Sequence, residues 1–283
     1  MILAEILPAQ PSPVALALWL ALFSALTLVV IGRMISGIRR YGVQTRPDLL
    51  DATDVLVASA IMICFLMIIA NRFGASNSAP VKLVVLEPWQ LVSSMIGLLI
   101  FPCAVVLMMI ARNVKPVDVF GLGKVRVGRA CAVGAGIGVL ALPLTLAVKT
   151  ITVHLTDSHE GSQQLVKAFS TAVSGGAWQM FGLIALSAVV VAPLSEEVLF
   201  RGYFYPVLGR WFGRVSASFL AAVFFGAMHD TLTDIPGLAV LALCLTVAYE
   251  RTGSLIVPLA GHACFNAVSL LLLWCQAKNI LPL

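Results

Sequence analysis

The chain has 283 residues, 60% of them hydrophobic and 11% charged, with a mean hydropathy of +1.01; a soluble domain carries roughly 25% charged residues. That balance excludes a water-soluble globular fold and predicts an all-α, polytopic membrane protein. The formal net charge of +5 does not point to nucleic acid, because Lys and Arg stand singly or in small groups between apolar runs and form no long basic stripe.

Apolar runs near 13–32, 53–71, 91–111, 130–148, 178–208, 215–230, 237–250 and 255–275 predict about eight transmembrane helices, since one bilayer crossing needs about 20 apolar residues. We divide them into N-terminal helices, 1–129, and a core, 130–283. No basic segment precedes the first run, which therefore reads as a retained span and not a cleaved signal peptide. Placing the loop after it in the cytoplasm puts thirteen Lys and Arg residues inside, against Arg72, Lys82, Lys149, Lys167 and Lys278 outside. This asymmetry predicts that both termini lie outside.

The first polar loops carry Asp48, Asp51 and Asp54, then Asn71 to Pro80, and read as solvated connections. Gly134 and Gly138 form a small-xxx-small pair in the fourth run, a signal for close helix packing. A longer loop, from about Thr152 to Gly176, holds His154, Asp157, His159 and Glu160. It also reads as a solvated connection, because His159-Glu160 is followed by Gly-Ser-Gln and lacks HExxH spacing. The six cysteines all fall inside apolar runs without a CxxC pair and behave as small core hydrophobes.

The fifth run contains Ser195-Glu-Glu-Val-Leu-Phe-Arg201. A charge in such a setting costs about 2.5 kcal/mol or more, so an intramembrane acid is a candidate functional group. Glu197 and Arg201 are i and i+4 and can neutralise each other on one helix face. Glu196 lies about 100° away around the helix, without an evident local partner. With a turn near Phe212, Glu196 lies 16 residues before it and His229 lies 17 after it. A rise of about 1.5 Å per residue sets both roughly 25 Å from the turn, level across an antiparallel hairpin. Asp230 and Asp234 follow as the outer end of that helix, which leaves 237–250 short for a span unless the segment is tilted or re-entrant. In the last run His262 and Asn266, again i and i+4, share a face.

Carboxylate, imidazole and amide together suit hydrolysis of a peptide bond by an activated water. Glu196 can take the water's proton with help from His229, and His262 and Asn266 can donate hydrogen bonds to the oxyanion. Glu196-Glu197-x3-Arg201, Phe225-x3-His229 and His262-x3-Asn266, in this order on successive helices, resemble the three motifs of the CPBP family, which comprises type II CAAX prenyl endopeptidases and bacterial proteins grouped with bacteriocin processing and immunity. The resemblance covers about 190 to 268. It implies a glutamic-type intramembrane endopeptidase without a cofactor, in the cell membrane (the inner membrane of a bacterium), acting among lipids on a peptide or protein that is membrane-embedded or lipidated. Glu196 would be the base, His229 its partner, His262 and Asn266 the oxyanion donors, and Glu197, Arg201 and Phe225 would support them. It does not imply a prenylated substrate.

Two other readings stay open at this point. A zinc protease could use Glu196, Glu197, His229 and His262 as ligands, because His and carboxylate suit Zn²⁺. A transporter or a scaffold for partner helices could keep the same cluster for a proton or a helix contact, although no repeated halves are evident.

Overall fold

Proline and glycine set the helix ends, and the apolar runs fill the lengths between them. The computed structural model describes residues 13–42, 45–75, 87–156, 164–229, 231–278 and 280. Among these the order is α1 (Pro13–Tyr41), α2 (Ala52–Ala75), α3 (Pro88–Ala111), α4 (Pro116–Phe120), α5 (Val127–Thr156), α6 (Gln164–Gly175), α7 (Trp178–Leu186), α8 (Ala192–Leu199), α9 (Tyr205–Phe212), α10 (Arg214–Ala227), α11 (Ile235–Thr252) and α12 (Ile256–Ala277), with no strand among the described residues. Pro88 and Pro116 occupy first-turn positions, where the missing N–H costs nothing. Gly121, Gly213 and Gly253 take φ of 61°, 78° and 64° where α4, α9 and α11 stop, a conformation that strains residues with a Cβ.

All eight apolar runs are helical. Six helical stretches are long and apolar enough to cross a membrane: 52–71, 88–111, 127–156, 178–212, 232–252 and 256–277. The run at 13–32 forms the first part of α1, several of whose side chains lie outside the described residues. The span that proves short is α10, with 14 residues, about 21 Å. The segment after it is longer than its apolar run suggests, because a 3₁₀ turn at Leu232–Asp234 leads directly into α11. The expectation of a short 237–250 helix is corrected accordingly.

A second correction concerns 152–176. Residues up to Thr156 complete α5, and 164–175 form the amphipathic helix α6. Its Phe169 and Val173 pack with Ile184 of α7 and Leu91 of α3. A solvated loop was expected because polar residues are interspersed there; a helix at period 3.6 buries one face of the same sequence. Residues 71–75, expected in a loop, complete α2, while 76–80, Asp157, His159, Glu160 and Asp230 lie outside the described residues.

The described basic residues make different contacts in the two groups that the charge asymmetry defines. In one, Arg112 bonds Asp51 and Asp54, Arg210 donates to the Asp48 carbonyl, and Tyr203 donates to the fully buried Asp54. In the other, Lys149 pairs with Asp234 at 2.6 Å, and Lys278 bonds the Val173 carbonyl. Lys82 and the side chains of Arg72 and Lys167 lie outside the described residues. An aromatic core of Phe65, Phe200, Phe204, Phe224 and Phe225 ties α2 to the segment 192–212 and to α10.

Helix α5 lies against α12 at backbone distance. A Cβ on Gly134 would meet the Val257 carbonyl oxygen at 2.2 Å, and one on Gly138 would meet the Gly261 carbonyl oxygen at 2.1 Å. The glycine pair thus seats the residue just before His262. Gly138→Leu is therefore expected to displace α12, lowering the stability in detergent by about 3 kcal/mol, at the upper end of overpacking costs. Gly136→Leu, with open space at its Cβ, should stay within about 0.5 kcal/mol; thermal unfolding of the two variants checks this.

Candidate active site

Helices α7, α8 and α9 form one continuous rod, 178–212, interrupted by π-helical turns at Ser187–Val191 and Phe200–Phe204. Each π turn is followed, after one intervening residue, by a proline, at Ala192-Pro193 and Tyr205-Pro206. The cause lies in the hydrogen bonding. Ala192 N–H bonds Ser187 O, five residues back, while Pro193 has no N–H to offer. Ala188 O is then left without a backbone donor in either register. Asn266 supplies one, its Nδ2 donating to Ala188 O at 2.7 Å.

Glu197, on α8, is completely buried. Its Oε1 accepts a hydrogen bond from Arg201 Nη1 at 2.7 Å and lies 2.8 Å from His262 Nδ1. Arg201, 2% exposed, also donates to the Ala242 carbonyl of α11 at 3.3 Å and sits 4.7 Å above the Phe225 ring of α10. One ion pair thereby touches α10, α11 and α12. The ion pair expected from the i, i+4 spacing is present; its third member, His262, has no signature in the local sequence.

Hydrogen-bond chemistry sets the histidine tautomers. A carboxylate only accepts, so His262 Nδ1 is the donor to Glu197, and its Nε2 turns toward Glu196 Oε2, 3.7 Å away. That separation is too long for a direct hydrogen bond. His229 Nδ1 lies 3.0 Å from the Phe225 carbonyl, which also only accepts, so in the neutral ring Nε2 keeps its lone pair. The Phe225 ring lies between the two imidazoles, with centroids 5.2 Å from His229 and 5.6 Å from His262.

Glu196 differs from Glu197, whose Oε2 is also buried without a partner but whose Oε1 is bonded. The Glu196 side chain is 22% exposed, and its Oε2 is buried without a hydrogen-bond partner. The imidazole nearest to it belongs to His262; no direct hydrogen bond or ion pair joins Glu196 to His229 among the described residues. The structure brings Glu196, Glu197, Arg201, Phe225 and His262 together, with His229 against Phe225. Asn266 stands one turn beyond His262, engaged with Ala188. Among the described residues no group of three His, Cys, Asp or Glu side chains is disposed to hold one metal ion. His262 Nδ1 is directed to Glu197, which leaves Nε2 as the nitrogen that faces Glu196.

The bonding predicts a double-mutant coupling. Glu197→Gln leaves the Arg201 guanidinium buried without its counter-charge, which costs about 3–5 kcal/mol. Adding Arg201→Gln is expected to recover at least about half of that loss. Unfolding in detergent of the parent, both single variants and the double variant measures the coupling, and additive losses would contradict it.

Comparison with known proteins finds a match over residues 178–268 to the family described as "Type II CAAX prenyl endopeptidase Rce1-like". Comparisons with curated proteins and with solved structures give no significant match. The matched stretch runs from the start of the rod to the middle of α12 and includes all three polar motifs. Over this stretch, about a third of its length, the chain is similar to the CPBP/CAAX protease family of membrane proteins.

Proposed function

We propose that this protein is a glutamic-type intramembrane endopeptidase in which Glu196 is the general base. The observation that carries this reading is the carboxylate itself: a partly exposed acid whose Oε2 has no hydrogen-bond partner, beside Glu197, whose Oε2 is likewise unpartnered but whose Oε1 is tied to Arg201 and His262. A water held between Glu196 and His229 Nε2 gives its proton to Glu196 as its oxygen attacks the peptide carbonyl carbon. The new C–O bond forms, the carbonyl oxygen becomes an oxyanion, and the proton on Glu196 passes to the amide nitrogen as the C–N bond breaks.

His262 and Asn266 are the proposed oxyanion donors. For His262 to donate through Nε2 while Nδ1 bonds Glu197, both ring nitrogens must carry protons. An imidazolium then balances the cluster: two carboxylates, one guanidinium, one imidazolium. Asn266 retains one amide hydrogen after bonding Ala188 O. Removing one oxyanion donor typically costs a factor of 10²–10³ in turnover. No metal takes part in this scheme, and the substrate is a peptide or protein that is membrane-embedded or lipidated, in the cell membrane of a bacterium.

The test uses purified protein with a transmembrane peptide and a prenylated peptide, assayed separately. Glu196→Gln is expected to melt like the parent and to lose at least about 10³-fold in turnover, within the range of general acid–base contributions. Activity of the parent should survive thorough chelation. Full activity in Glu196→Gln would overturn the assignment of the base, and loss on chelation with return on Zn²⁺ would replace it with metal chemistry.

A further inference from the structure

Away from the candidate active site, the loop between α4 and α5 folds onto the turn between α11 and α12. Leu255 N–H bonds Phe120 O at 2.9 Å, Tyr249 Oη donates to Val119 O at 3.0 Å, and the bare Gly121 lets the Gly253 carbonyl approach. This contact, with α1 as a third wall, borders an open cavity of about 600 Å³. Four cations line it, Lys124, Arg126, Arg129 and Arg251, and the lining contains no carboxylate. Met34, Val133 and Val257 supply an apolar wall. The Arg251 guanidinium lies over Gly37 of α1, where a Cβ would come within 2.6 Å of its Nε.

The arrangement runs against ordinary helix electrostatics. The positive end of a helix dipole favours anions, yet the 30-residue α5 begins with Arg126 just before its first turn and Arg129 inside it, and has no acid there. Partial desolvation and the Arg46 guanidinium push the Lys124 ammonium below its ordinary range, with Asp48 opposing; Asp48 itself is held by Arg46 at 2.8 Å. A bound anion relieves both the crowding of cations and the helix end. The cavity lies at the end of the molecule where Arg112 meets Asp51 and Asp54, the cytoplasmic end by the charge asymmetry. Guanidinium forks match phosphate oxygens in pairs, and basic pockets between helices on this side of a membrane suit lipid headgroups.

We infer that this cavity binds a phosphate-bearing anion, with the phosphate between Arg126, Arg129, Lys124 and Arg251, and with the apolar wall taking the tail when the phosphate belongs to a phospholipid. The experiment incubates the full chain in detergent with phosphatidylglycerol or phosphatidylcholine, washes it, counts retained lipid by mass spectrometry and records the melting temperature. A parallel arm adds millimolar inorganic phosphate or pyrophosphate to the protein in phosphatidylcholine nanodiscs.

Phosphatidylglycerol is expected to be retained at about one molecule per chain and to raise the melting temperature. Arg126→Gln/Arg129→Gln should lower that retention by roughly twentyfold, and Arg129→Gln alone by about fivefold, from the attraction of each basic residue near an anionic surface. Arg33→Gln/Arg39→Gln, which removes the same charge from α1 outside the cavity lining, should leave retention within about twofold of the parent. A shift by free phosphate or pyrophosphate that disappears in Arg126→Gln/Arg129→Gln, without selective retention of phosphatidylglycerol, would support the site with a soluble anion as its source. Equal retention of both lipids with no shift by either phosphate, or equal loss in the two double variants, would overturn the proposal.

Discussion

The ion pair between Glu197 and Arg201 is the interaction on which the rest of the core depends. Two opposite charges removed from water inside an apolar bundle are tolerated only with good geometry and further hydrogen bonds. Here the further contacts come from other helices: the Ala242 carbonyl of α11, the Phe225 face of α10 and the His262 imidazole of α12. The pair is therefore also an assembly point. Any shift of α10, α11 or α12 away from α8 takes a partner from a buried charge, and this penalty couples the position of the candidate catalytic groups to the packing of the bundle.

The rod that carries Glu196 and Glu197 is shaped by two prolines. An unbroken α-helix through Pro193 would place its ring against the carbonyl of the preceding turn. The π turn before it absorbs that misfit by shifting the hydrogen-bond register, at the cost of an orphaned carbonyl. The orphan is then a fixed acceptor to which Asn266 is tied, so that the feature that accommodates a proline also orients α12 one turn beyond His262. The same pattern at Pro206 follows Arg201, so both ends of α8, the short helix holding the acid pair, are flanked by register shifts. Such insertions are frequent at functional sites, and here proline accounts for where they fall.

Much of the fold was legible because length and hydropathy alone decide which segments can cross a bilayer, and the eight apolar runs all became helices. The Glu197–Arg201 pair was legible from i, i+4 spacing, and the α5–α12 contact from Gly134 and Gly138, since each depends on one helix's own periodicity. What depends on relations between helices was not. That His262 turns to Glu197 and is the imidazole nearest Glu196 follows from the rotation of α12 against α8, which no local pattern encodes. The partner of Asn266 left only an indirect trace, a proline four to five residues beyond the carbonyls it deprives. Helix α6 was missed because hydropathy averaged over a window hides an amphipathic face, and the length of the α11 segment was missed because the turn before it holds Thr233 and Asp234 and its last residues are Arg251 and Thr252.

The basic residues show the same division between count and geometry. The asymmetry of thirteen against five predicts which end faces the cytoplasm, and any placement of those charges at that end would satisfy it. The fold sorts them in two ways. Arg112 meets carboxylates, and its bond to the buried Asp54 joins α3 to the start of α2 and, through Tyr203, to the rod. Arg126, Arg129, Lys124 and Arg251 instead gather around a cavity whose lining has no acid. A cation that serves only to orient the chain in the membrane gains by keeping apart from its like, where water screens it. Four gathered near the positive end of a long helix, where the Leu255 N–H bonds the Phe120 carbonyl, present several donors to one anion. They do so where an apolar wall and a basic rim meet.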